Sequence, residues 1–132
     1  MLRAVRYPTL ALALALLAGC GEQAPTPEEE VRTTVAEFGR ATAAKDYGAL
    51  CDRLLATQLL AEVKSVGLPC EAALRQGLEA VREPRLTVGR VTVRGTRATA
   101  EVRTAAAGQA PSRDTLRLVD ENGTWKIASL GS

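Results

Sequence analysis

At Pro84 the apolar residues of this chain change their period, and that switch restricts the fold more than any other feature of the sequence. Before it the spacing is helical. Val31, Val35, Phe38 and Ala41 recur at steps of four, three and three residues, so the segment from about Glu28 to Ala44 is predicted to be one helix with a single apolar stripe. Thr26 can cap it, Pro27 suits its first position, and Glu29 stands where the acid of a capping box belongs. The acids Glu28 to Glu30 invite a cation-site reading, but the positive end of the helix dipole accounts for them more simply. Lys45-Asp46-Tyr47-Gly48 breaks the pattern, and Asp46 can cap a short second helix that turns Leu50, Cys51 and Leu54 inward. A third piece follows from Thr57 to Gly67, and Pro69 opens a fourth, with Leu74, Leu78 and Val81 on its buried side.

After Pro84 the pattern alternates, as strands require. Leu86 and Val88 share one face, then Val91 and Val93 do, so the phase slips at Gly89-Arg90 and predicts a bulge. Arg94-Gly95-Thr96 turns the chain into a second strand carrying Ala98, Ala100 and Val102 inward. Ala105–Ser112 reads as a loose loop before a third strand with Leu116 and Leu118. Asn122-Gly123 is a strong hairpin signal, and the last strand places Trp125 and Ile127 on one face. Helices followed by an antiparallel meander of about four strands define an α+β domain, its sheet curled round the first helix.

The N-terminus carries a different signal. Arg3 and Arg6 precede an unbroken apolar run, Leu10–Ala18, which is the layout of a secretory signal and falls short of a membrane span. Leu17-Ala18-Gly19-Cys20 follows directly and resembles the lipobox of bacterial lipoproteins, matching at all four positions. The resemblance implies cleavage between Gly19 and Cys20, acylation of the Cys20 thiol by palmitate-type chains, and a protein held on the extracytoplasmic side of the cell membrane, or on an outer membrane where one exists. The expected organisation is a signal peptide over residues 1–19, a lipidated tether over 20–27 and a folded domain over 28–132. An ordinary secretory signal with a chance cysteine is the alternative.

Composition bears on what the exported part can do. The leader holds two of the 17 basic residues and none of the 15 acids, so the chain after it is electrically neutral. A neutral domain has no overall field to gather nucleic acid or anionic lipid. The sequence has no histidine, and with Cys20 carrying lipid it has no third free cysteine, so neither a metal site nor a cofactor is expected. Cys51 and Cys70 remain as an even pair in an oxidising compartment and are expected to form a disulfide, two reduced buried thiols being the alternative. Aromatic residues are scarce, so a core of Leu, Val and Ala gains from such a bridge.

Three segments now carry a second resemblance: the corner Ala-Ala-Lys-Asp-Tyr-Gly-Ala-Leu-Cys at residues 43–51, the bulged strand, and Leu-Arg-Leu-Val-Asp-Glu-Asn-Gly-Thr-Trp-Lys-Ile-Ala-Ser-Leu at residues 116–130. Over about residues 28–130 the chain resembles the nuclear transport factor two-like superfamily, the cystatin-like α+β roll shared with ketosteroid isomerases. That resemblance implies a conical cavity between helices and sheet. It also implies one of several roles: a non-catalytic binding or accessory domain for an envelope protein or small apolar ligand, a small isomerase or dehydratase using a cavity carboxylate, or an envelope sensor. Absence of histidine excludes relatives with a His-centred mechanism. Asp46 and Tyr47 are the catalytic candidates, weighed against a helix cap beside a packing aromatic. Trp125 reads as core. The outward row Arg97, Arg103, Arg117 and Lys126, interrupted by Glu101, reads as a solvated face that could also meet anionic partners.

Overall fold

The computed structural model describes Gly19 and residues 21–131. The rest of the expected signal peptide, and Cys20 itself, lie outside these residues. Helix α1 spans Pro27–Ala43 and opens on the expected capping box: the Thr26 N–H donates to Glu29 Oε2 at 2.8 Å, and the Glu29 N–H donates to Thr26 Oγ1 at 3.2 Å. Helix α2, Tyr47–Ala49, runs straight into a π-helical turn over Leu50–Leu54. Helix α3 spans Thr57–Ser65 and α4 spans Cys70–Gly77. The strands β1 (Arg85–Arg94), β2 (Arg97–Ala106), β3 (Gln109–Glu121) and β4 (Thr124–Ser129) form one antiparallel sheet in sequence order.

One face of the sheet packs on α1. Val31 and Val35 meet Ala98, Ala100 and Val102 of β2, Leu116 and Leu118 of β3, and Trp125 and Ile127 of β4 in a single core. Gly39 lets α1 lie close against β1, since a Cβ there would stand 3.1 Å from the Leu86 Cβ. The opposite face is exposed, as the strict alternation along β2 shows. Beyond β4 the chain adds one parallel bridge from Leu55 to Ile127, with the Ala56 N–H donating to the Ile127 carbonyl at 2.8 Å. β1 is the other outer strand, and Arg32 donates to the carbonyl of Gly89 in its bulge at 2.9 Å. Among the described residues every buried core side chain lies between Val31 and Ile127, so the core is contained within residues 21–131.

The β1 slip falls where the alternation places it: Val88 pairs with Val102 and Val91 with Ala100, so Gly89 and Arg90 together oppose Glu101. The β3–β4 turn is equally true to its sequence, with positive φ at both Asn122 (53°) and Gly123 (84°). Three expectations need correction. Ala105–Ser112 is not a loose loop: β2 continues to Ala106, β3 begins at Gln109, and only Ala107-Gly108 turns. Ladder pairing overrides weak strand propensity there, and Pro111, lacking an N–H, falls in the irregularity between the Thr104–Ser112 and Ala106–Gln109 pairs. The second helix is α-helical for one turn only, then widens, the Leu55 N–H reaching the Leu50 carbonyl at 3.0 Å; this brings Leu54 and the adjacent Leu55 both inside. The fourth helix stops at Gly77, leaving Leu78 and Val81 half-buried in the turns that follow.

Candidate functional site

The structure joins Cys51, on the π-helical turn, to Cys70, the first residue of α4, with a Cα–Cα separation of 6.1 Å. The bridge ties the π-helical turn to the start of α4 and leaves both cysteines buried. No group of three or more His, Cys, Asp or Glu side chains that could hold a metal occurs among the described residues.

Asp46 and Tyr47 occupy a corner of the helical layer. The Asp46 carboxylate accepts from the Ala49 N–H at 3.0 Å, which makes it the cap of α2. The Tyr47 ring is half-buried and carries the Arg75 guanidinium 5.6 Å from its centroid. Neither side chain lines the opening between α1 and the sheet. That opening is about 210 Å³ and lies between Phe38 and Thr42 of α1, Leu86 of β1, and the ends of β2 and β3. Arg85 is the one titratable side chain in its lining. Its hydroxyls are already engaged: Thr42 donates to the Phe38 carbonyl at 2.8 Å, Thr104 and Ser112 share a hydrogen bond at 2.8 Å, and Ser112 donates to Asp114 at 2.9 Å. Trp125 and Ile127 do not line this opening and belong to the buried core.

The larger depression lies on the other side of the sheet. A groove of about 880 Å³ runs over the outward residues of all four strands and is walled by the start of α3. Alternation sets its chemistry, because Arg97, Thr99, Glu101 and Arg103 of β2, which face away from α1, are all polar or charged. Arg94 pairs with Arg97 across the β1–β2 turn, Thr99 pairs with Arg117, and Arg97 pairs with Val119. Arg94, Arg97 and Arg117 therefore share one end of the groove, with Ala61, Val119 and Ala128 among its apolar lining. Arg103 stands on the same face beyond the groove, directly opposite Arg113. Lys126 leaves the expected basic row, since its ammonium donates to the Arg53 carbonyl. Glu101 interrupts that row as expected and stands 3.9 Å from Arg90.

Glu121 has a role the sequence did not suggest. Helix α3 has Ala56 at its cap position and no capping side chain of its own. Glu121, from the end of β3, supplies one: it accepts from the Thr57 N–H at 2.9 Å and from the Thr57 hydroxyl at 2.8 Å. These bonds, the backbone one first and then the hydroxyl, hold the Glu121 carboxyl below its ordinary value of 4.5, with Lys126 assisting and burial opposing. A depressed folded value means that the ionised cap stabilises the fold above about pH 4.5 and that this contribution is lost as pH falls through the folded value. Replacing Glu121 by Ala is expected to cost about 0.5 kcal/mol at pH 7, the low end for a cap because the site is open to water. Urea midpoints for the two proteins should converge at pH 3; a gap that persists there unchanged would rule out a charge-dependent cap. The only sequence clue was a helix start preceded by alanine.

No protein-family model matches the chain, and no curated protein matches it. Solved structures do. A de novo designed NTF2 fold protein, NT-9, superimposes with a TM-score of 0.54 at 18% identity, covering 80% of this chain and 87% of the design. The Kfla4162 protein from Kribbella flavida gives a TM-score of 0.54 at 21% identity, covering 77% and 86%. An NTF-2 like protein of unknown function from Silicibacter pomeroyi gives 0.51 at 20% identity, covering 73% and 85%. The fold of this chain is accordingly NTF2-like, an α+β roll of four helical segments on a curved four-stranded sheet. At these identities the likeness concerns the fold alone.

Proposed function

We propose that the protein is a lipid-anchored, extracytoplasmic lipoprotein whose NTF2-like domain works by binding rather than by catalysis. The observation that carries the address is Leu17-Ala18-Gly19-Cys20, placed directly after an apolar run too short to span a bilayer. Gly21–Pro25, ahead of the Thr26 cap, then forms a short polar tether. The oxidised Cys51–Cys70 pair accords with residence outside the cytoplasm. Among the described residues no helix is long and apolar enough to cross a membrane, so acyl chains on Cys20 are the means of attachment in this reading.

Binding is favoured over turnover by the lining of the inner opening. An isomerase or dehydratase site needs several polar groups converging on one enclosed space. Here Asp46 is turned to its own helix end, and the opening presents alanines, Phe38 and Leu86 around Arg85. Partners in this reading are the membrane, through the lipid, and an envelope protein or small ligand at the domain surface.

The test of the anchor is direct. Expressed in a bacterium with labelled palmitate, the full chain is expected to incorporate label, fractionate with membranes and show an intact mass for a product beginning at Cys20. Cys20→Ser is expected to abolish the label and the processing. An unlabelled, uncleaved chain in the cytosol would defeat the proposal.

A further inference from the structure

The outer groove has the makings of a ligand site, and its chemistry names the class of ligand. This step rests on the binding reading above but not on the membrane address. The strand register places Arg97 and Arg117 as diagonal neighbours, with Arg94 beside Arg97. Diagonal positions on one face of a sheet are about 7–8 Å apart, within reach of long side chains, so these guanidiniums can close on one small anion. None of the three has an acidic partner: the ion pairs among the described residues are Arg40 with Glu37 and Arg90 with Glu101. Arg117 uses Nε to bond the Ser129 hydroxyl at 3.2 Å, which steadies the stem and leaves its terminal nitrogens available. Two acids also line the groove. Glu121 is committed to Thr57, and Glu62 belongs to the α3 wall, so the cationic end is the arginine end. Like charges gathered on neighbouring strand positions destabilise a sheet unless something neutralises them.

The remaining lining surface is largely apolar, with Ala61, Val119 and Ala128 beside Thr92, Thr99, Ser129 and Gln58, while the buried Ala56 and Leu118 form its floor only at their edges. A site of about 880 Å³ falls in the range of small-molecule sites. Nucleic acid is disfavoured because no aromatic side chain lines the groove to stack a base. A second copy would set arginine against arginine.

We propose that this groove binds an anionic amphiphile, a molecule with one phosphate or carboxylate group on a hydrocarbon body. Arg94, Arg97 and Arg117 hold the anion, and the alanine and valine lining takes the chain.

The test uses residues 21–132 with the disulfide intact, titrated with octyl phosphate below its micelle concentration and followed by backbone amide NMR and calorimetry. Shifts are expected in β2, β3 and the start of α3. Arg97→Gln and Arg117→Gln should each weaken binding about tenfold, the scale of a lost charge-assisted hydrogen bond, while Arg103→Gln on the same face changes it less than twofold. Ala61→Asp, which puts an acid on the apolar wall, should abolish it. Inorganic phosphate should bind at least about tenfold more weakly than octyl phosphate, because it lacks the hydrocarbon, and octylammonium should not bind. Equal weakening by Arg103→Gln would overturn the proposal in favour of diffuse charge, as would equal affinity for inorganic phosphate. Absence of shifts with octyl phosphate would overturn it, even if anionic lipid vesicles bind. So would a dimer that protects the same amides. Because the domain tested carries no lipid, failure of the anchor leaves this result standing, and the converse also holds.

Discussion

Replacing Trp125 by Ala is expected to destabilise the domain by about 4 kcal/mol, the usual cost of emptying a large aromatic site in a core. Trp125 is 5% exposed and sits on β4 among Val31, Val35, Leu118 and Ile127. The other aromatic residues of the domain, Phe38 and Tyr47, are only half-buried, so Trp125 is its one fully buried ring. Surrounding side chains are short, and alanines line much of β2, which limits collapse around the cavity. With domains of this kind stable by some 5–15 kcal/mol, such a loss moves the urea midpoint by a large fraction of its value. Circular dichroism of the two proteins in urea measures it. A change below about 1 kcal/mol would mean that the core is not organised around this ring.

Removing the bridge with Cys51→Ala and Cys70→Ala together is expected to cost about 3 kcal/mol, the amount attributed to closing a loop of this size in the unfolded chain. The cysteines are 19 residues apart, and the loop contains all of α3. Loss should also be uneven. Helix α4 has eight residues, too few to persist without tertiary support, and the bridge is at its first residue. Hydrogen exchange in the double variant is therefore expected to rise most in α3 and α4, while β2 and β3 keep their protection. Uniform acceleration across sheet and helices would show instead that the bridge acts on the domain as a whole.

What the sequence disclosed was what local chemistry decides. Thr26 and Glu29 cap each other across three residues, Asp46 caps Ala49 three residues on, and Asn122-Gly123 adopts the two positive φ values its turn demands. The β1 bulge was visible because Val88 and Val91 break a strict alternation that one buried face requires. What it concealed depends on pairing across distance. Ala105–Ser112 reads as loop residue by residue, and becomes strand only because Thr104 and Ser112 face each other. Glu121 caps a helix 64 residues away, which no window along the chain can reveal. Alternation alone did mark Arg97 and Arg117 as outward residues, but not that α3 rises beside them to make a wall. That required the third dimension, as did the withdrawal of Lys126 to the Arg53 carbonyl.

The outer strand β1 has a consequence for life at high density. One side of the sheet is closed by Leu55 and Ala56, and the other is bent at Gly89-Arg90, with Arg32 occupying the carbonyl that a neighbour's amide would seek. At high concentration a neighbouring strand thus meets no straight, open ladder along β1.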